Sequence, residues 1–407
     1  MRPAMLALAF PALLIAACGN VSTNPRPAAV AHSPSAGTAN SAAPSTAPPV
    51  AGLFALLETR RTGVAQYDHG TPDTIVIASP DGYARAKVSF KPRTRPDVPM
   101  AGAVLAVPAH TAAGGVYFID GSGVVRRLDP SGSVRTVTTF PITSGQQAVS
   151  FAVSPDGKNL MAAVLTYPSV APGPSGGPPF EQTGPTKLDL ERAIDGGNAT
   201  AIGHWQGAVV HGDPSQPQFH NLTMAGWDGI GPMVVVDAYP AIQQEVIEGQ
   251  QWAGGSLARM NLDGSVGRTL TPSDCTPFSV DQSGTILCAQ TEGSGPLKLD
   301  VISGSGQLLW QAAISTTAPY GFPGGYAVSP DGSHVAMDGQ VSARDGARIS
   351  LAANFATRGW LDDQTIIGFI GGSNDARIGI VRLAAPARPE DWGFTGQFVG
   401  RISAGAA

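Results

Sequence analysis

The chain has 407 residues, enough for one large all-β domain or two or three ordinary ones; 43% of them are hydrophobic and only 14% charged. Its 51 Gly and 35 Pro favour many turns over long, charge-rich surface helices. A formal net charge of -5 leaves no electrostatic footprint for nucleic acid, and no zinc-finger, basic-region or RNP-like pattern is present.

Residues 1–17 start with one Arg, run apolar from Ala4 to Ala17 and end in small residues before Cys18. That is the layout of a secretory signal peptide, and with Pro11 in its middle the stretch is too short to cross a hydrocarbon core of about 30 Å as a helix. The tetrapeptide Ile15-Ala16-Ala17-Cys18 resembles the bacterial lipobox. The resemblance implies cleavage before Cys18, a diacylglyceryl group on its thiol, and a protein held to the cell membrane by palmitate-type acyl chains, facing outside the cytoplasm on the periplasmic or extracellular side. The alternative is an ordinary cleaved signal with an unrelated Cys nearby. Residues 18–51 follow as a linker of Ala, Ser, Thr, Pro, Gly and Asn that cannot bury enough apolar surface to fold. At full extension this tether reaches about 90 Å, and His32 within it reads as solvent-exposed filler.

From residue 52 to 407 the dominant signal is short apolar runs bounded by Gly, Pro, Asp and Ser, among them DTIVIA, GVYFID, NLMAAVL, TILCAQ and TIIGFIG. These are strand lengths and strand residues. The nearest helix candidate is IQQEVIEGQQWA from Ile242. The hexapeptide AVSPDG occurs at Ala152–Gly157 and again at Ala327–Gly332. In Ser-Pro-Asp-Gly the Ser bonds the turn backbone, Pro presets φ, Asp tolerates the third position and Gly supplies the left-handed conformation that resumes the strand. Related turns stand at Ser79–Gly82, Asp129–Gly132, Asn261–Gly264, Asp281–Gly284, Ser303–Gly306 and Ala343–Gly346. The stretch Thr276–Ala313 holds four strands and three turns, the content of one propeller blade, and the next unit aligns with it turn to turn.

The expected fold is therefore all-β: a seven-bladed β-propeller, with six blades as the alternative. The candidate blades cover about 53–91, 101–140, 146–206, 217–271, 276–313, 323–355 and 357–403. Phe151 and Tyr326, just before the repeated hexapeptide, are placed to pack between blades. Strand, SPDG, strand and a second xxDG hairpin resemble the WD-type repeat in the propeller part of TolB-like periplasmic proteins. The resemblance spans most of Val64–Ile402 and implies the fold alone, since no separate domain like the N-terminal one of TolB is recognisable and no functional residue maps across.

Chemistry is harder to find. Cys275 and Cys288 bracket one predicted hairpin in an exported chain and are expected to form a disulfide, although they sit a few residues off the register chosen for that hairpin. Gly173–Gly177 matches Gly-x-Ser-x-Gly but lies in a Pro-rich loop, without the strand and helix that a nucleophile elbow requires. His204, His211, Asp213 and His220, with Trp205 and Trp227 nearby, are the candidate ligand-binding residues, yet no pair has the spacing of a preformed metal site. The turn acids Asp81, Asp156, Asp331, Asp362 and Asp363 fall in different units and are better explained by local turn bonding than by calcium. No catalytic set, metal or cofactor is expected. The sequence favours a non-enzymatic binding or scaffolding propeller for a protein, peptide or glycan of the cell envelope, with an exported propeller enzyme, lactonase-like or another hydrolase with a site near the central funnel, as the alternative. Its oligomeric state stays open, and the break in repetition at Tyr167–Trp227 is where function is sought.

Overall fold

A computed structural model describes residues 52–58, 72–93, 108–167, 170–172, 180–182, 184–206, 222–236, 255–290, 298–313, 326–337, 339–371 and 377–402. Among them every helix or strand element is a strand. The signal peptide, Cys18, the linker to residue 51, the Gly173–Gly177 match and the helix candidate at Ile242 lie outside the described residues.

The strands form seven four-stranded antiparallel sheets and one small hairpin. Blade 2 runs from an inner strand, Ala109–Ala112, to an outer one, Val134–Thr139. Blade 3 spans Gln147–Val153 to Thr200–Gln206, blade 4 Leu222–Trp227 to Val266–Thr269, and blade 5 Cys275–Val280 to Leu308–Ala313. Blade 6 spans Ala327–Val328 to Arg348–Ser350 and blade 7 Phe355–Asp362 to Glu390–Phe394. Blade 1 draws on both ends of the chain: Gln397–Ile402 is its inner strand, followed by Leu53–Glu58, Asp73–Ala78 and Ala84–Phe90. The expected last blade, 357–403, is corrected accordingly. Its final strand crosses to blade 1 and pairs Leu53 with Ile402 and Leu57 with Gln397, which supplies the edge that Leu53–Glu58 lacks and closes the ring. Each blade touches the next round the circle, blade 7 to blade 1 included, so the ring has seven blades and not six.

Strand alternation builds the core. In blade 1, Ala55, Leu57, Ile75 and Ile77 face blade 2, while Phe54, Leu56 and Val76 face blade 7. Each of the seven gaps between blades holds one such apolar cluster. A single blade has two apolar faces and can hide neither alone, so the ring is the unit that folds.

The repeated hexapeptide is a turn in both places. Ser154 Oγ donates to Asp156 Oδ1 at 2.6 Å and accepts from Asn159 N at 2.9 Å; Ser329 does the same with Asp331 at 2.7 Å and His334 N at 2.9 Å. Gly157 and Gly332 take φ of 74° and 70°. A β-carbon on Gly157 would also strike the Tyr117 hydroxyl of blade 2, so the turn packs where only Gly fits. Phe151 meets His110 of blade 2 edge-on at 4.8 Å, and Tyr326 meets Phe278 of blade 5 at 4.8 Å.

Candidate functional site

The two ends of the propeller differ. Connections between first and second strands, and between third and fourth, lie on one face, here the turn face. All are described, and apart from the segment 383–389 they are tight turns such as 113–114, 154–158 and 281–285. The strand ends at the opposite, loop face are joined by 59–72, 91–108, 167–186, 207–221, 237–255, 291–297, 314–326 and 371–376, besides a few short turns. Within 167–186, Val170–Pro172 pairs with Phe180–Gln182 as a hairpin outside the seven blades. Long connections on a rigid frame are where binding contacts are placed, and here they gather at one end.

The axis is bridged at the turn face. Gln282, in the first turn of blade 5, donates to Arg401 O at 2.9 Å, accepts from Arg401 N at 3.0 Å and also donates to Thr111 Oγ1. Arg401 in turn donates to both carboxylate oxygens of the neighbouring Asp281, at 3.0 and 2.9 Å. Arg401 belongs to blade 1 and Thr111 to blade 2, neither adjacent to blade 5, so these bonds pass over the axis.

On the inner strand of blade 2, His110 retains some accessible surface but is surrounded by protein. Burial pushes its imidazole down to about 4, and a hydrogen bond to the Phe151 backbone works weakly against that. Between about pH 6.5 and pH 4 the unfolded chain therefore binds a proton that the folded chain refuses. Stability is expected to be unaffected by this group above that window and to fall by up to about 3 kcal/mol as pH drops through it. Urea unfolding from pH 4 to 7 measures the slope; His110→Asn should flatten it, and an unchanged slope would remove His110 from the account.

A second polar feature lies in the gap between blades 2 and 3. Lys187–Ile194 is the third strand of blade 3, and its residues Asp189, Glu191 and Ala193 pair with Val164, Ala162 and Leu160 on the face turned to blade 2. Asp189 Oδ1 lies 2.5 Å from His204 Nδ1 across the outer strand. Glu191 is 5% exposed and has no hydrogen-bond or ion-pair partner among the described residues. Burial pushes its carboxyl up, and the charge of Asp189 adds to that. On the loop face nearby, Arg93 donates to the carbonyls of Gln147, Ser144 and Gly121, the last at 3.1 Å, and so ties blade 2 to blade 3. Asp189, His204 and Glu191 thus place two carboxyls and an imidazole on one face of blade 3, with no hydroxyl or thiol nucleophile bonded to them among the described residues.

The expected ligand-binding residues do not meet as one group among the described residues. His204 lies near the loop-face end of an outer strand, whereas Trp227 ends the inner strand of blade 4 at the turn face. His211, Asp213 and His220 lie outside the described residues. Trp205 and Trp227 both pack against the cluster between blades 3 and 4. Cys275 and Cys288 are joined by a disulfide with Cα atoms 5.6 Å apart, offset by two positions across a strand pair that bulges between Pro277 and Ser279. Closing a loop this short contributes about 3 kcal/mol in the chain-entropy model. Among the described residues the only three potential metal donors close together are these two sulfurs and Asp300, which instead accepts from Gln290 and Gln311. Asp189 and Glu191 stand outside any histidine spacing, and their only signal in the sequence is two acids in alternation within the apolar strand KLDLERAI.

The architecture defines an all-β protein of the seven-bladed β-propeller class, with its long connections on one face. No family model matches the chain, and no curated protein matches it. Solved structures that it resembles include oligogalacturonate lyase from Vibrio parahaemolyticus, at 9% identity over 76% of this chain and 82% of that one, TM-score 0.45. TolB from Acinetobacter baumannii matches at 11% identity over 86% and 66%, TM-score 0.38, and the Dos1 propeller at 12% over 85% and 83%, TM-score 0.42. These values carry no inference about activity.

Proposed function

We propose that this protein is a membrane-anchored, extracytoplasmic lipoprotein whose propeller binds a protein, peptide or glycan of the cell envelope without chemical turnover. The observation that supports the reading is the division of the ring: tight turns and a bridged axis at one end, and the long connections at the other. The anchor itself rests on the signal-like residues 1–17 and on Cys18. The linker 18–51 sets how far the propeller reaches from the bilayer.

Affinity capture from detergent-solubilised membranes of the native host tests this, comparing the natural chain with one in which 237–255 is replaced by a two-residue hairpin. A stoichiometric partner captured by the first and lost by the second is the expected result. No partner, together with turnover in a hydrolase panel that His204→Ala abolishes, would overturn it in favour of an exported enzyme using Asp189, Glu191 and His204.

A further inference from the structure

Seven large apolar side chains are exposed among the described residues: Tyr83, Val134, Ile194, Ile230, Leu262, Val266 and Leu308. Every one lies on the turn face. Tyr83 sits in the hairpin that pairs Ala78 with Ala84, and Ile230 in the first turn of blade 4. Val134 pairs with Leu128, Ile194 with Asn159 and Leu308 with Ile302 at the turn-face ends of their strands, while Leu262 and Val266 flank one turn of blade 4. They are spread over blades 1 to 5, and the two most exposed, Ile230 at 68% and Tyr83 at 67%, stand on different blades. The described turns on the loop face show none.

The chain joins the propeller at this same end. Leu53 pairs with Ile402, and Phe54 with Ala78, at the turn-face end of blade 1, so the linker from Cys18 arrives here. The charges on the face are also arranged. On blades 1 to 5 five turn acids are ion-paired, Asp81 with Arg85 at 2.8 Å, Asp129 with Arg127 at 2.8 Å, Asp195 with Arg135 at 2.6 Å, Asp281 with Arg401 at 2.9 Å and, more loosely, Asp156 with Lys158 at 3.8 Å, whereas Asp263 of blade 4 accepts only from Ser265. On blades 6 and 7, Arg344, Arg348 and Arg388 are exposed on the same face with no acidic partner among the described residues. The acids beside them are engaged by turn donors: Asp345 by Ala347 N, Asp331 by Ser329 and Ser333, Asp362 by Gln364 N and Asp363 by Asp331 N.

We infer that the turn face rests on the lipid bilayer to which Cys18 anchors the chain, an inference that builds on the anchor proposed above. The apolar tips of blades 1 to 5 enter the headgroup boundary, and the guanidiniums of blades 6 and 7 bind lipid phosphates. A flexible tether attached at this face raises the local concentration of the bilayer, so individually weak contacts suffice. The loop face then points away from the membrane.

The test uses the full chain, expressed with residues 1–17 in a bacterial host and purified from its membranes, in vesicles of phosphatidylglycerol and phosphatidylethanolamine. An environment-sensitive dye is placed at Leu308→Cys or Ile230→Cys on the turn face, or at Ala353→Cys, an exposed position on the loop face. Blue-shifted emission, quenched several-fold more by lipid-borne quenchers at 308 and 230 than at 353, is expected. Adding Tyr83→Ser to the dye-labelled Leu308→Cys chain should weaken the contrast, and replacing anionic lipid by phosphatidylcholine should do so too. Equal quenching at all three positions would overturn the inference. A contrast that survives phosphatidylcholine unchanged would overturn the role of the arginines. Mass spectrometry of the N-terminal peptide reads the anchor separately. An acylated Cys18 with no dye contrast sinks the docked face and spares the anchor, whereas a contrast with no acyl group sinks the anchor and spares the face.

Discussion

A chain ending at residue 396 is expected to lose cooperative folding altogether, giving no sharp unfolding transition in urea and proteolysis at many sites instead of one. The strand Gln397–Ile402 is the inner strand of blade 1, pairs only with Leu53–Glu58, and touches the inner strands of blades 2 and 7. Without it those three neighbours lose their cover at the axis together. Phe398 joins the cluster between blades 7 and 1, and its ring lies so close to Gly359 that any side chain there would strike it. Arg401 and the backbone around it hold the bridge to Asp281 and Gln282. Stability in a ring passes from neighbour to neighbour, so opening it at one blade exposes two apolar faces at once. Supplying residues 397–407 as a separate peptide should restore a single transition. A truncated chain that still unfolded in one sharp step, with unchanged midpoint, would mean that the ring closes without its seam.

The second large effect is expected at Asp228, which is 4% exposed. Arg259 Nη1 donates to Asp228 Oδ1 at 2.7 Å and Nη2 to Oδ2 at 3.0 Å, while the Ile230 and Gly231 amides donate to Oδ1 at 2.8 and 3.0 Å. The same guanidinium donates to Gly231 O and to Gly304 O in blade 5, so one buried ion pair fixes a turn and fastens two blades. Asp228→Ala leaves the cation buried without its counter-charge and two amides without an acceptor. The expected loss is about 3–5 kcal/mol by urea unfolding. Asp228→Ala combined with Arg259→Met should recover part of that loss, because the stranded charge goes with it. A single-variant loss below about 1 kcal/mol would show that the pair is dispensable to the ring.

The turns were legible in the sequence because their chemistry is local: Ser, Pro, Asp and Gly at Ser154–Gly157 and Ser329–Gly332 each have a reason that reaches no further than five residues. Strand alternation was legible for the same reason, and it placed Phe151 and Tyr326 between blades. The seam was not, because QFVGRI reads equally well as a further strand of blade 7, and only the geometry of a closed ring assigns it to blade 1. Nor was the bridge over the axis, since Gln282 and Thr111 are 171 positions apart and share no pattern. The acids of Lys187–Ile194 lie between these cases. Glu191 and Asp189 are adjacent in alternation, but a buried carboxyl is recognisable only once the strands on either side are known to be apolar.

The seam also sets how the protein carries mechanical load. A pull on the linker acts at Leu53, along the axis of a strand flanked on both sides, by Gln397–Ile402 and by Asp73–Ala78. Such a force must shear two ladders of hydrogen bonds together. Had the linker led into an outermost strand, the same force would have peeled one ladder bond by bond. Load applied to the chain ahead of Leu53 is therefore shared by two strand ladders, with the closed ring as its rivet.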